Sequence, residues 1–242
     1  MVISALRYTF ADTEEAYDAY LQPTILSMLT TMLNDADLEN RRLALTTFNS
    51  AARNKPGLVM ANLGDLLPLA MKETVIRPEL IREVPMGPFK HKVDDGLELR
   101  KSAYETLYAL MESASNRIPL SDLYERIVAG VGDEHDIKIL CCLMLSKLLT
   151  LAPEETGRRL DSLAEAFRAA LLFKAKEHAV KQELEKIAEG KKAVVKVSIQ
   201  AGKAVAAEAQ EARAWHDYWE WVKKEFPALV RSAEDELGEK DR

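Results

Sequence analysis

The chain has 242 residues, 48% of them hydrophobic but only 7% aromatic, and it carries a formal net charge of −6. Leu, Ala, Glu, Lys and Arg dominate while Gly and Pro are sparse, which points to an all-α protein able to bury a substantial core. The acidic balance gives no electrostatic ground for a nucleic-acid surface, and no apolar run reaches the about 18 residues that a membrane span needs.

In chain order, the opening MVISALRYTF lacks the basic region, apolar stretch and cleavage site of a secretory leader. It reads as the end of a helix whose partner is absent. Glu14 to Leu33 is expected to form a helix interrupted by Pro23, with Leu38 to Arg53 as its partner. Gly57 to Lys72 reads as the next first helix, with Gly96 to Ser115 as its partner. Leu120 to Gly130 and His135 to Leu151 make a third pair. From Pro153, Leu160, Leu163, Ala164, Phe167 and Leu171 recur at helical spacing. Lys176 to Glu189 and Lys191 to Glu211 read as helices separated by Gly190. The helix HDYWEWVKKEF and the acidic stretch SAEDELGEKDR close the chain.

A short pattern recurs in these pairs: an acidic turn, then a basic residue, then a small residue three positions on. Its copies are Asp35, Asp37, Arg41 and Ala44; Asp94, Asp95, Arg100 and Ala103; and Asp133, Asp136, Lys138 and Cys141. The aspartate suits the free N–H groups and positive dipole end of a helix start. The small residue suits close helix packing one turn further in. This is the shape of the second helix of a HEAT repeat, a helical hairpin of about 40 to 47 residues. The spacing from Arg41 to Arg100 exceeds that from Arg100 to Lys138 by about 21 residues, the length of the stretch from Thr74 to about Asp94. That stretch therefore reads as an insertion between two paired helices.

Pro78, Pro85 and Pro88 exclude one helix through the insertion. ELIREV and FKHKV flank PMGP, and the second strand alternates, with Phe89, His91 and Val93 on one side and Lys90 and Lys92 on the other. A β-hairpin within about residues 74–93 is expected. It either folds back as a surface loop or projects to dock on a partner. Exposed Leu80, Ile81, Val84, Met86 and Phe89 would favour docking.

Other constellations read as structure. Cys141 and Cys142 are adjacent, so they cannot easily pair, and they suit a buried, reduced role in a cytoplasmic or nuclear protein. His91, His135, His178 and His216 are scattered, and DEHD (Asp133 to Asp136) reads as a helix start rather than a metal site. Trp215, Tyr218, Trp219, Trp221 and Phe226 suit a C-terminal cap packed on the preceding helix. The lysines from Lys174 to Lys192 alternate with glutamates. They make either a solvated face or a basic ridge meeting an acidic partner.

The wording itself resembles a known family. ELIREV, MGPFKH and VDDGLELRK, with NRRLALTTFNSAARNKPGL, HDIKILCCLMLSKL and LDSLAEAFRAALLFKAKEHAVKQELEK, resemble the C-terminal region of the cullin-associated, neddylation-dissociated (Cand) family from Val2 to about Glu189. The resemblance implies an all-α HEAT-repeat solenoid over residues 1–189, with the hairpin inserted at about 74–93, followed by capping helices and an acidic tail over 190–242. It implies a non-enzymatic, cofactor-free and monomeric regulator of cullin-RING ubiquitin ligases, without nucleic-acid or membrane partners. Such a regulator binds a cullin with its RING subunit and opposes the substrate adaptor. The implied partner-binding residues are Glu79, Leu80, Ile81, Arg82, Glu83, Val84, Pro85, Met86, Gly87, Pro88, Phe89, Lys90, His91 and Lys92. The alternative is a generic HEAT scaffold or a partner of the TATA-binding protein.

Overall fold

In the computed structural model, which describes residues 18–86, 89–175 and 179–240, the helical periodicity resolves into thirteen α-helices and one two-stranded ribbon. The fold is of the all-α, HEAT-repeat class with one inserted hairpin, and the chain divides into two units, Met1–Pro119 and Leu120–Arg242.

The first unit holds α1 (Asp18–Leu33), α2 (Leu38–Asn54), α3 (Pro56–Met60), α4 (Leu63–Lys72), β1 (Ile81–Met86), β2 (Phe89–Asp94) and α5 (Leu97–Ser113). The Asp37 carboxylate accepts the Glu39 N–H at 2.8 Å and so caps α2. The small residues of the repeat pattern, Ala44 on α2 and Ala103 on α5, have no exposed surface. That lets the two helices pack closely with Leu45, Phe48, Leu107 and Leu110 buried around them. Each such Leu or Phe contributes about 1.5 to 3 kcal/mol. The Thr106 hydroxyl, also buried, bonds to the Ser102 carbonyl at 2.7 Å and lies 3.1 Å from that of Leu45, tying α5 to α2. Lys55, just past α2, pairs with Asp18 at the start of α1.

Two sequence expectations change in this unit. Pro23 lies inside α1 rather than interrupting it; the proline is exposed, so the carbonyl it deprives of an intrahelical donor can be solvated. Gly57 to Lys72 is two helices, not one. The break falls at Ala61 and Asn62, where Asn62 leaves helical geometry and its carbonyl accepts from Asp65 and Leu66 to start α4. The Asn62 side chain makes no cap, so the restart rests on the backbone turn alone. The part of the first helix before residue 18, and the chain end preceding it, lie outside the described residues.

The ribbon falls between α4 and α5, as the repeat spacing predicts. Its register runs from Ile81 opposite Asp94 to Met86 opposite Phe89, antiparallel, leaving residues 87 and 88 between the strands.

The second unit holds α6 (Leu120–Val131), α7 (His135–Leu151), α8 (Pro153–Gly157), α9 (Leu160–Leu172), α10 (Lys181–Ala204), α11 (Ala206–Glu211), α12 (Arg213–Glu225) and α13 (Pro227–Lys240). DEHD does start a helix, and the Asp133 carboxylate accepts the Glu134 N–H at 2.7 Å. Cys141 and Cys142 are free and buried in α7. Burial pushes both thiols up, Cys142 to about 12, so neither is a reactive thiolate.

Three further expectations are corrected. Gly190 does not separate two helices: α10 runs through it, and the residue is buried. A Cβ there would stand 3.2 Å from the Lys138 Cδ, so the missing side chain serves the approach of α7 rather than a break. The turn comes at Val205 instead, whose side chain is buried. The segment from Pro153 also divides, into α8 and α9. The acidic stretch expected as a tail is helical through Lys240 and packs on α10. Lys176 to His178 lie outside the described residues.

Gly157, at the end of α8, faces α11 so closely that a Cβ would stand 2.9 Å from the Cβ of Glu208. Gly157→Ala is expected to cost about 1 to 3 kcal/mol through overpacking, measured as a lower Tm. An unchanged Tm would mean that this approach is not tight.

The aromatic cap forms around Phe167, Trp215 and Tyr218, with ring centroids 5.3 to 6.1 Å apart. Ser198 on α10 hydrogen-bonds the Tyr218 hydroxyl at 2.9 Å, and Asp161 on α9 accepts the Trp215 N–H at 3.0 Å, satisfying a free donor at the start of α12. Trp219 and Trp221 are half-buried; Trp221 lies under the Arg168 guanidinium and beside Phe226.

Lys192 and Lys196 on α10 both pair with Glu236 on α13 and hold its carboxyl at about 2, well below the carboxylate range. A lowered folded pKa contributes stability above the unfolded value and loses it as pH falls toward about 2. The docking of α13 on α10 should therefore survive ordinary mild acid and loosen only between about pH 4.5 and 2. Hydrogen exchange across that range tests this; loosening already near neutral pH would contradict it.

Candidate functional site

The insertion is set on its helices by buried and half-buried charges. Glu73 closes α4 with its side chain only 2% exposed, and two guanidiniums converge on it: Arg41 from α2 at 3.1 Å and Arg77 at 2.7 Å. Next to it the Thr74 hydroxyl, also buried, donates to the Met71 carbonyl at 2.6 Å. At the far end of the ribbon the Asp94 carboxylate meets the buried Arg100 at 2.8 Å and accepts the Gly96 N–H at 2.9 Å. Asp95 binds Arg82 through two hydrogen bonds, at 2.7 and 3.1 Å, which hold its carboxyl below the usual range. Its backbone N–H donates to the Leu80 carbonyl at 3.0 Å.

Gly96 has a packing reason: a Cβ there would stand 3.0 Å from Leu80 Cδ1 and 3.3 Å from the Asp94 carboxylate. Both ends of the ribbon thus meet one cluster of paired charges and a closely packed leucine. Removing one partner of such a buried pair costs more than the pair contributes, so the base is strongly defined.

The strands carry little beyond that base. β1 and β2 pack chiefly on each other. Two-residue connection and strand alternation divide the ribbon into two faces. One carries Glu83, Lys90 and Lys92, all exposed, with Lys90 pairing Glu83 at 3.1 Å. The other carries Arg82, Val84 and Val93, the two valines half-buried, and the register positions of Met86, Phe89 and His91 belong to the same set. Pro85 is tolerated because each strand of a two-stranded ribbon is an edge strand.

Of the sequence-predicted residues, Glu79 and Leu80 lie in a 3-10 turn (Pro78–Leu80) before the ribbon rather than in a strand, and Leu80, Ile81 and Val84 are half-buried, not exposed. Ile81 to Met86 form β1, and Phe89 to Lys92 belong to β2, which continues to Asp94. Gly87 and Pro88 lie outside the described residues. Sequence reasoning found Arg41, Arg100 and Asp94 through the repeat pattern, reading Asp94 only as a helix-start residue, and missed Glu73. It also missed exposed Val75 and Ile76, which stand beside the base.

Among the described residues no group of His, Cys, Asp and Glu is placed to hold a metal, and no helix is long and apolar enough to cross a membrane. The arrangement suits surface recognition: a short ribbon of two unlike faces on a fixed base.

The family described as TATA-binding protein interacting (TIP20) matches residues 58–223. The cullin-associated NEDD8-dissociated protein 1, C-terminal part, of Emericella nidulans is 50% identical over 98% of this chain and 23% of its own length. The cullin-associated NEDD8-dissociated protein 2 of Mus musculus is 44% identical over 81% of this chain and 16% of its own. Protein 1 of that name from Drosophila melanogaster is 41% identical over 81% and 16%. The similarity to the Emericella relative covers nearly the whole chain, beyond the Glu189 limit of the motifs recognised in the sequence. The chain spans less than a quarter of the length of these relatives.

Proposed function

The chain belongs to the cullin-associated NEDD8-dissociated (Cand) family, as part of its C-terminal HEAT-repeat region, and we propose that it binds the N-terminal domain of a cullin carrying its RING subunit, where its ribbon contests the substrate-adaptor site. The observation that carries this reading is the ribbon itself: both ends fixed by paired charges, its outer residues packed chiefly on each other.

A fixed base matters energetically. Ordering a free loop costs roughly 1 to 2 kcal/mol per residue, and a partner meeting a preformed ribbon does not bear that cost. Two or three apolar side chains entering the adaptor site would each contribute about 1.5 to 3 kcal/mol. A nanomolar adaptor complex is worth about 12 kcal/mol, so the ribbon weakens it rather than replacing it. Partial overlap of two ligands makes each raise the dissociation of the other by the same coupling free energy. The action is non-enzymatic exchange of adaptors, by a monomer of the cytoplasm and nucleus.

Pull-down of the cullin N-terminal domain, with and without adaptor, tests the reading: capture by the chain should fall as adaptor is added. Capture no better than by an unrelated HEAT fragment contradicts it. The matched family's own description makes the TATA-binding protein the second partner to assay.

A further inference from the structure

The three basic residues of the repeat pattern do not share one fate. Arg41 and Arg100 each meet a carboxylate, Glu73 and Asp94. Lys138, at the matching place on α7, ion-pairs with no carboxylate among the described residues. Its stem instead passes close to Gly190 on α10, and its ammonium lies 5.6 Å from the ring centroid of Phe173, just after α9. The residues that follow those two contacts in the chain are Lys191 and Lys174. Three lysines from three segments therefore stand beside one another. Lys191 is held below the usual lysine range by desolvation and then by Lys138 and Lys174. The neighbouring Glu189 is turned to His135, at 3.1 Å.

Gathering like charges that ion-pair with no carboxylate among the described residues is unfavourable in the free protein and favourable toward an anion. Next to the lysines, Leu172 and Phe173 are 54% and 53% exposed. We propose that this surface docks a short acidic segment of another protein, its carboxylates meeting Lys138, Lys174 and Lys191 and an apolar side chain covering Leu172 and Phe173. A protein segment fits better than a nucleic acid: the chain as a whole carries −6, which repels a long polyanion, and the exposed apolar pair needs an apolar partner. The site is independent of the ribbon, so its failure would leave the cullin reading untouched.

The test uses the 242-residue chain and a fluorescein-labelled peptide of repeated Glu-Glu-Leu-Asp-Phe. Anisotropy should show saturable binding that weakens as salt rises. The triple variant K138Q, K174Q, K191Q should bind about tenfold more weakly, from three partly exposed charge pairs. If that variant alters helicity or melting, the exposed K174Q alone decides, with an expected loss of about two- to threefold. A charge-inverted Lys-Leu peptide, a single-stranded oligonucleotide and phosphatidylserine vesicles serve as alternative ligands. The assignment is overturned if the acidic peptide does not bind, if it binds the variant as well as the wild type, or if oligonucleotide or vesicle binds as tightly.

Discussion

Closing the ribbon at its base, by replacing Glu83 to Lys92 with Asn-Gly, should lower affinity for the cullin N-terminal domain about hundredfold while leaving helicity and Tm nearly unchanged. The register makes the variant possible: Arg82 faces Val93, so a two-residue turn joins them without moving the base. The Arg82–Asp95 and Arg100–Asp94 pairs and the Leu80–Gly96 contact all lie below the cut. What is lost is the outer ribbon, about 3 kcal/mol if one or two apolar side chains are buried in the complex. A drop in Tm comparable to that of a core mutation would show the outer ribbon to be structural. Unchanged affinity would remove it from the interface.

Glu73→Ala should do the reverse, damaging the fold of the first unit before any partner arrives. The substitution leaves Arg41 and Arg77 facing each other without their shared carboxylate, and the expected loss is about 3 kcal/mol, the lower end for a broken buried pair because both guanidiniums keep some solvent. In a unit of this size that lowers Tm by roughly 10 °C or more. Hydrogen exchange should rise first at the ribbon base, around Thr74 and Asp95. Glu73→Gln retains a hydrogen-bond acceptor and should fall between the two. If Glu73→Ala melts like the wild type, the base does not anchor the ribbon.

Which parts of this structure could be read from the sequence follows from the range of the interactions involved. Helix identity was legible because the apolar spacing is local, and the small residues Ala44, Ala103 and Cys141 all prove fully buried. The insertion was legible from a discrepancy in spacing, and its hairpin from three prolines and one alternating strand. Helix ends were less so. Gly190 and Pro23 are breakers by local rules, yet the first admits a neighbouring helix and the second is exposed, and neither context shows in a window of ten residues. The ribbon's anchoring was legible only at one end, where the pattern already set Asp94 beside Arg100; Glu73 and Arg41 are far apart in the chain, and nothing in KETVIRP marks its glutamate as buried. Likewise the pattern that gave Arg41, Arg100 and Lys138 one role could not show that only two of them find an acid.

A ribbon that contests the adaptor site should hasten exchange of the adaptor. The measurement is the dissociation rate of a labelled adaptor from the cullin N-terminal domain, followed by fluorescence after adding the chain or its closed-ribbon variant at saturating concentration. The chain should accelerate dissociation about tenfold or more, for a coupling free energy within the ordinary range of such effects, and the variant should not. Equal rates with the chain, with the variant and with neither would contradict it.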